Sequence, residues 1–202
     1  MKRLSAILLS AILIISLAYF LIHNKTDSRK ANINIEKLES FLEDGDLIFR
    51  LGDRPWSLLI KDIATHKERY SHVGIIKKTT KISVINADTL RVDGKDGVIE
   101  VTIHDFASVA QRIGVYRFKS IERKEFSSIA EEYLGKPFDW DFDLSDESRI
   151  YCSELLYIIL KRTSPDIELG TIYIKELKKS VIPLDVCVEH EEFEQVLIIE
   201  RD

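Results

Sequence analysis

The sequence YCSELLYIIL, at residues 151–160, is the most informative part of this chain for predicting how it folds. Side chains typical of a protein core recur there at the i, i+3, i+4, i+7 and i+8 spacing of one helix face, at Cys152, Leu155, Leu156, Ile159 and Leu160. Thr163-Ser164-Pro165 is typical of a helix end. We therefore predict a helix that follows a turn and carries Cys152 in its first turn.

Cys152 allows two interpretations at this position. At a helix N-terminus, free backbone N–H groups and the positive end of the helix dipole favour the thiolate, which is the nucleophilic form of cysteine. Cysteine is also among the most buried residue types, and Cys152 lies on the apolar face of the predicted helix. On its own an inert core cysteine is the more common outcome, so the choice depends on residues elsewhere in the chain.

The composition is that of one globular domain with an extension. The 202 residues are 45% hydrophobic and 31% charged, and a net charge of −5 with a pI near 5.6 argues against a nucleic-acid-binding protein. We expect no cofactor, because there is no phosphate-binding glycine loop and the histidines lack metal-ligand spacing. Asp139, Asp141 and Asp143 resemble the start of a calcium loop, but Leu144 and Ile150 occupy its sixth and twelfth positions, so we expect a solvated acidic loop.

The chain has two cysteines, which are too few for a disulfide framework. A bridge between Cys152 and Cys187 is possible on the oxidising side of a membrane, and it would exclude catalysis by Cys152. Cys187 lies within Val186-Cys187-Val188, and we expect it to be a small core residue.

An apolar run near the N-terminus predicts a membrane-spanning helix. Residues 4–22 follow Met1-Lys2-Arg3 and approach the ~20 residues that cross a bilayer as a helix. A cleaved signal peptide is the alternative, because Ser16-Leu17-Ala18 has a small-x-small pattern. The apolar run continues through 19–22, which favours an uncleaved anchor.

The predicted organisation is a membrane anchor or signal peptide at 1–24, a juxtamembrane linker at 25–40 and a folded domain at 41–202. The short basic N-terminal tail favours the orientation in which the folded domain lies outside the cytoplasm, in the periplasm or at the cell surface. The membrane is then a partner of the chain through residues 4–22.

Apolar runs predict the remaining helices and strands. Strands are predicted at 47–49, 98–101, 114–118 and 195–200, and helices from Pro55 onward, at 104–110 and at 121–134. Two further runs, YSHVGII at 70–76 and ISVINA at 82–87, flank a polar loop and predict a β-hairpin. With the loop centred on Thr79, the expected pairs are Ile76 with Ile82, Gly74 with Val84, and His72 with Asn86, all on one face of the sheet.

Cysteine catalysis needs three groups, and this chain can supply them with Cys152, His72 and Asn86. A thiolate attacks a carbonyl carbon, a base moves the proton, and a third group orients the base. An ordinary pKa of ~6.5 suits His72 to proton transfer, and Asn86 can accept the proton of its Nδ1. The backbone N–H of Cys152 is a candidate oxyanion donor. Taken singly, a strand histidine is more often a satisfied half-buried residue, and an asparagine at a strand end a turn former.

Four short stretches occur in a distinctive order over roughly residues 42–161. They are Gly45-Asp46-Leu47-Ile48-Phe49, Ser71-His72-Val73-Gly74-Ile75, Gly135-Lys136-Pro137-Phe138-Asp139 and Tyr151-Cys152-Ser153-Glu154-Leu155. Together they resemble the circularly permuted, YiiX/YaeF-like branch of the NlpC-type papain-like amidases. The resemblance implies an α+β, permuted papain-like fold in which an antiparallel sheet packs against the Cys-bearing helix.

The same resemblance implies a catalytic triad of Cys152, His72 and Asn86. The family commonly has a glutamate where this chain has Asn86, and an amide cannot stabilise imidazolium by charge. Asp88, two residues on and on the same strand face, is the alternative orienting residue. Tyr70 and Tyr151 are candidate oxyanion or substrate contacts.

The leading hypothesis is a membrane-tethered cysteine hydrolase of amidase or peptidase type, which cleaves an amide bond through a thioester on Cys152 with His72 as general base. The resemblance suggests a cell-envelope peptide, or an acylated amine or lipid, as substrate. Two alternatives stay open. A thiol-dependent lipid acyltransferase, as in lecithin–retinol acyltransferase-like proteins, would also suit a membrane anchor. A catalytically inactive envelope-binding module is favoured only by Asn86 in place of an acid.

Overall fold

A computed structural model describes residues 33–52, 69–89, 96–175 and 178–201, which belong to one compact unit. Within these ranges no helix is both long and apolar enough to cross a bilayer. The predicted membrane span at 4–22 and the predicted helix that starts at Pro55 lie outside the described residues.

The main sheet has six strands and is antiparallel throughout. In chain order, the strands of both sheets in the described ranges are β1 (Leu47–Gly52), β2 (His72–Lys78), β3 (Ile82–Asp88), β4 (Gly97–Thr102), β5 (Ala110–Phe118), β6 (Ile172–Ile174), β7 (Lys179–Val181) and β8 (Phe193–Glu200). The order across the sheet is β4-β3-β2-β1-β5-β8, and β6 and β7 form a separate hairpin. The mixed α+β architecture expected for a permuted papain-like fold is confirmed.

Five helices in the described ranges connect or flank the strands. They are α1 (Ile35–Phe41), α2 (Ile103–Ser108), α3 (Phe126–Glu131), α4 (Cys152–Thr163) and α5 (Leu184–Glu189). The single helix predicted at 121–134 is wrong, because a 3₁₀ turn at Ile121–Glu125 precedes α3 and turns follow it. Ser120 makes no side-chain capping bond, so the expected α-helical start is missing.

Apolar side chains fill both faces of the sheet. One face packs against α3, α4 and α5 through a cluster that includes Phe49, Val73, Ile85, Leu155 and Ile159. The other face packs against α1 and α2 through a cluster that includes Leu38, Ile48, Ile76, Val84 and Phe106. Because side chains alternate along a strand, neighbouring residues of β2 serve different cores.

Helix α1 corrects the predicted linker at 25–40. Asn34 caps this helix, with its Oδ1 accepting the backbone N–H of Lys37 at 2.9 Å. Ile33 and Leu38 are buried in the second cluster. Residues 33–40 therefore belong to the folded body, since their apolar positions find partners on the sheet that a polar linker would lack.

The predicted hairpin register is wrong by two residues. Ile76 pairs with Val84, not with Ile82, and the ladder extends to the pair of Lys78 and Ile82. The two lysines after Ile76 suggested a loop, but Lys77 lies in the strand and its Nζ is 3.3 Å from Glu100 Oε2 on β4. Cross-strand ion pairing thus extends β2 into the polar segment and moves the turn toward β3.

Candidate active site

Cys152 begins helix α4 and is fixed by bonds on either side. The backbone N–H of Tyr151 donates to Glu154 Oε2 at 3.1 Å. Ser153 Oγ donates to the carbonyl of Ile182 at 2.8 Å. Cys152 itself is partly exposed, whereas Ser153 and Glu154 are buried. These hydrogen bonds therefore hold the backbone of Cys152 in place, and its thiol lies at the edge of the core.

The sulfur of Cys152 lies where β2 and β3 separate. Their ladder ends at the pair Ile75 and Ile85. A continued ladder would direct the backbone N–H of Val73 at Ala87, but this N–H instead lies close enough to the Cys152 sulfur to lower the pKa of the thiol. The thiol therefore reaches the plane of the sheet through an opening between two strands.

His72 approaches this opening from the other face of the sheet. Its ring centroid is 5.8 Å from that of Phe106 in α2, and its neighbour Val73 packs into the core on the α4 side. The contact between Cys152 and the Val73 backbone places the sulfur one residue from His72. The opened end of the ladder, not a shared sheet face, thus brings the thiol to the strand residue next to His72.

Asn86 holds the His72 ring by a direct hydrogen bond. The distance from Asn86 Oδ1 to His72 Nε2 is 2.8 Å. The sequence predicted this bond at Nδ1, which is wrong. A two-residue shift of register keeps Asn86 on the face of His72 but makes it a diagonal neighbour, which reaches the outer ring nitrogen. An amide oxygen only accepts, so Nε2 carries the proton and Nδ1 has a free lone pair for the thiol proton.

Gly74 leaves the space that the Asn86 side chain occupies. A Cβ at this position would lie 2.4 Å from Val84 Cγ1 and 3.1 Å from Asn86 Cβ. Gly74→Ala is therefore expected to lower the free energy of unfolding by about 1–3 kcal/mol through overpacking, as measured by chemical denaturation. The matched control is Gly170→Ala, where an added Cβ meets nothing within 4 Å. Equal stability of the two variants would contradict this packing.

Asp88 and Arg50 form a buried ion pair beside the imidazole. Asp88 Oδ2 is 2.5 Å from Arg50 Nη2 and 3.6 Å from His72 Nε2. The Asp88 carboxylate is therefore a second, more distant neighbour of the ring nitrogen that Asn86 binds. Sequence reasoning identified Asp88 but missed Arg50, whose signal was a single charge in the apolar strand Leu47–Gly52.

Burial keeps His72 neutral. It lowers the pKa of His72 to about 4; Arg50 lowers it too, whereas Asp88 and the bond to Asn86 raise it. The imidazole is thus in the proton-accepting form throughout the neutral range. The folded-state pKa lies below the unfolded value of ~6.5, so the folded state binds fewer protons in this window. The contribution of His72 to stability therefore falls as the pH drops from about 6.5 to 4.

The pKa of Cys152 corrects the expectation of a thiolate. Burial raises it to about 11. The backbone N–H groups of Val73 and Ser153 lower the pKa, as does Arg50, whereas Asp88 raises it. Desolvation of the anion outweighs the helix N-terminus here. The resting pair is a neutral thiol and a neutral imidazole, so a base must remove the thiol proton during attack.

The two tyrosines have structural partners. Tyr70 is fully buried, and its hydroxyl is 3.4 Å from that of Tyr116. Tyr151 is also buried, and its hydroxyl accepts the backbone N–H of Ile182 at 3.3 Å. Burial raises the pKa of both hydroxyls. These contacts account for both tyrosines by packing and give no support to their predicted contact with substrate.

The acidic loop before α4 is ordered by one of its own carboxylates. Asp139 was expected to be solvated, but it is buried, and its oxygens accept the backbone N–H groups of Asp141 and Asp143 at 2.9 and 2.6 Å. The pKa of Glu154 is raised to about 8, above all by burial and also by Asp139 and other neighbouring carboxylates. The loop is thus a packed support for the start of α4.

Both cysteines are free thiols, so the bridge that would exclude catalysis is not formed. Cys187 is a buried core residue of α5, as expected. Across the described ranges, no group of three His, Cys, Asp or Glu side chains is placed to hold a metal ion.

The class of papain-like cysteine hydrolases is defined by a thiol at the start of a helix and a histidine on an antiparallel sheet, with a third group that orients the histidine. In this chain the third group is an amide. The family model of the permuted papain-like amidase enzymes, YaeF/YiiX, C92 family, matches residues 41–197. The chain belongs to this family of amidase and peptidase enzymes.

Two proteins of Escherichia coli are similar to this chain. The "Uncharacterized protein YiiX" of strain K12 is 29% identical over 123 residues, which are 57% of this chain and 55% of that protein. The chain thus matches only about half the length of this relative. The crystal structure titled "metalloprotein yiiX" from strain O157:H7 superposes with a TM-score of 0.63 at 20% identity, over 78% of this chain and 97% of the other. The structural likeness supports the fold.

The word metalloprotein in that title applies to the neighbour. In this chain the described residues offer no cluster of three metal-ligating side chains, and the Cys152 sulfur is already met by backbone N–H groups, which are donors and cannot bind a cation. These residues do not fit a metal ion, and we derive no step through one.

Proposed function

We propose that this chain is a membrane-tethered cysteine amidase that cleaves an amide bond through a thioester on Cys152, with His72 as general base. The observation that carries the proposal is the hydrogen bond between His72 and Asn86, beside the Val73 N–H that lowers the pKa of the Cys152 thiol. Family membership supports hydrolysis by a cysteine. The apolar run at 4–22 supports the tether and a folded domain outside the cytoplasm.

The reaction begins from two neutral groups. As the sulfur of Cys152 attacks the amide carbon, its proton moves to Nδ1 of His72, and the carbonyl oxygen becomes an oxyanion. The backbone N–H of Cys152, in the first turn of α4, has no intrahelical acceptor and can donate to that oxyanion. Asn86 keeps the proton on Nε2 during this transfer.

Collapse of the tetrahedral intermediate breaks the C–N bond. The imidazolium of His72 gives its proton from Nδ1 to the departing nitrogen, which leaves as an amine, and the acyl group remains on Cys152 as a thioester. Water then attacks the thioester with neutral His72 as base, which releases a carboxylic acid and restores the thiol. The pKa values of both groups fit this order, because neither is charged at rest near pH 7.

We propose a cell-envelope peptide or an acylated amine as the substrate class. The test is to incubate the full chain with a panel of envelope peptides and N-acyl amino acids, and to follow amine release and the intact mass of the protein. We expect release of the amine and an acyl adduct on Cys152, and none of either with Cys152→Ala. The absence of both across the panel, with a folded protein, would favour an inactive envelope-binding module.

The thioester would also form in an acyltransferase. Adding a competing lipid amine or alcohol to the same assay separates the two reactions. Hydrolysis predicts that the acyl group appears as the free acid at every acceptor concentration. Transfer of most acyl groups to the acceptor would replace the amidase proposal with that of a lipid acyltransferase.

A further inference from the structure

Arg50 is a cation buried beside the site. It is 4% exposed, Nη1 donates to the carbonyl of Phe106 at 3.2 Å, and the guanidinium carbon lies 4.5 Å from the centre of the Phe106 ring. Nη2 donates to Asp88 Oδ2 at 2.5 Å. A buried cation is costly unless it is paired, so this arrangement fixes Arg50 and Asp88 together.

One oxygen of Asp88 is shared between Arg50 and His72. The same Oδ2 is 2.5 Å from Arg50 Nη2 and 3.6 Å from His72 Nε2. A carboxylate this close to an imidazole, with no other cation near it, would favour imidazolium. Because Arg50 is the closer partner, it offsets most of the charge of the Asp88 carboxylate at rest. Asp88 is still near enough to His72 to stabilise a positive charge that develops on the imidazole during the reaction.

We propose that Arg50 is a positioning residue, which fixes the Asp88 carboxylate beside His72 and offsets its charge at rest, so that a carboxylate is retained for the imidazolium that forms during catalysis. The proposal rests on the proposed function, because it gives Asp88 the charge that Asn86 lacks as an orienting group. The pair thus divides between two side chains what an acidic third residue would do alone.

In the part of the chain that the structure describes, three charged or titratable groups lie around His72. Arg50 comes from β1, Asp88 from β3 and Cys152 from α4, while Phe106 on α2 is apolar. Arg50 lowers the pKa of His72 and Asp88 raises it, and each acts in the same direction on the pKa of the Cys152 thiol. Loss of either partner therefore moves His72 in a direction that can be stated beforehand.

The experiment is an NMR titration of the His72 imidazole in the full chain, from pH 3 to 8, with the pH profile of kcat/KM beside it. Arg50→Gln removes the cation that lowers the pKa of His72 and leaves the Asp88 carboxylate beside the ring, so the midpoint is expected to rise by about one pH unit or more. Asp88→Asn leaves Arg50 unpaired, and the midpoint is expected to fall. The double variant is expected to titrate between the two, with a reduced kcat because the imidazolium lacks its carboxylate.

Two controls keep the result specific. Arg112→Gln removes another arginine with a carboxylate partner, Glu200, on the exposed rim of the sheet, and it is expected to leave the His72 midpoint unchanged. Arg50→Lys retains the charge if Arg50→Gln fails to fold, and its midpoint is expected to stay within about half a pH unit of the wild type.

A midpoint that is unmoved in Arg50→Gln, with only a loss of thermal stability, would show a structural ion pair and overturn the proposal; so would a fall. The titration does not need turnover. If His72 shifts as expected but Cys152 is never acylated, the electrostatic role of Arg50 stands and the proposed function fails. If Cys152 is acylated and His72 does not shift, the function stands and the role of Arg50 fails.

Discussion

Cys152→Ala is expected to lower kcat/KM for an amide substrate by at least about 10⁴-fold, because no other group in the site can form the acyl intermediate. Steady-state kinetics of amine release measure this loss. The variant should fold, since Cys152 is partly exposed and the bonds of Tyr151 and Ser153 do not use its sulfur.

Cys187→Ala is the matched control for this loss. Cys187 is a buried free cysteine in α5, so its truncation is expected to reduce stability while kcat stays near that of the wild type. A Cys152→Ala protein that keeps more than about one tenth of the wild-type kcat/KM would show that the thiol is not the nucleophile.

His72→Ala is expected to lower kcat by about 10²–10⁴-fold with little change in KM, because a general base acts mainly in the transition state. His104→Ala is the control, since His104 is an exposed residue of α2. A loss of kcat below about tenfold in His72→Ala would remove the base from the mechanism.

Much of the sheet was predictable because strands bury alternating or continuous apolar residues. The hairpin shows how far this reasoning reaches. Alternation correctly placed His72 and Asn86 on one face, and this conclusion survived a register that was wrong by two residues. The register itself depended on Lys77, whose ion pair with Glu100 needs a third strand that local sequence does not reveal.

The helix at Cys152 was also predictable, but the protonation state of its thiol was not. A helix N-terminus lowers the pKa of a thiol that is in contact with water, but the sequence does not show how deeply the Cys152 thiol is buried. The structure leaves Cys152 only partly exposed at the opening of the sheet, where desolvation raises the pKa of its thiol to about 11. Burial of this kind comes from long-range packing of α4 on the sheet, which the sequence pattern cannot quantify.

Arg50 and Asp139 were missed or misjudged for one reason. Charged residues are expected at the surface, and their burial depends on partners far away in the sequence. Arg50 is held by Asp88 and the Phe106 carbonyl, and Asp139 by N–H groups of its own loop. A charge inside an apolar strand, as in Leu47–Gly52, was the available signal for the first of them.

The proposed mechanism requires that neutral His72 removes the proton from a neutral Cys152 thiol at the opening between β2 and β3. The most direct measurement is the rate of Cys152 acylation by an activated acyl substrate, followed by intact mass from pH 4 to 10, in wild type and His72→Ala. We expect a wild-type rate that is flat near neutrality and falls below about pH 4.5, as His72 gains its proton. In His72→Ala we expect a slow rate that rises about tenfold per pH unit toward the thiol pKa of about 11. The same rate and the same pH profile in both proteins would contradict the claim.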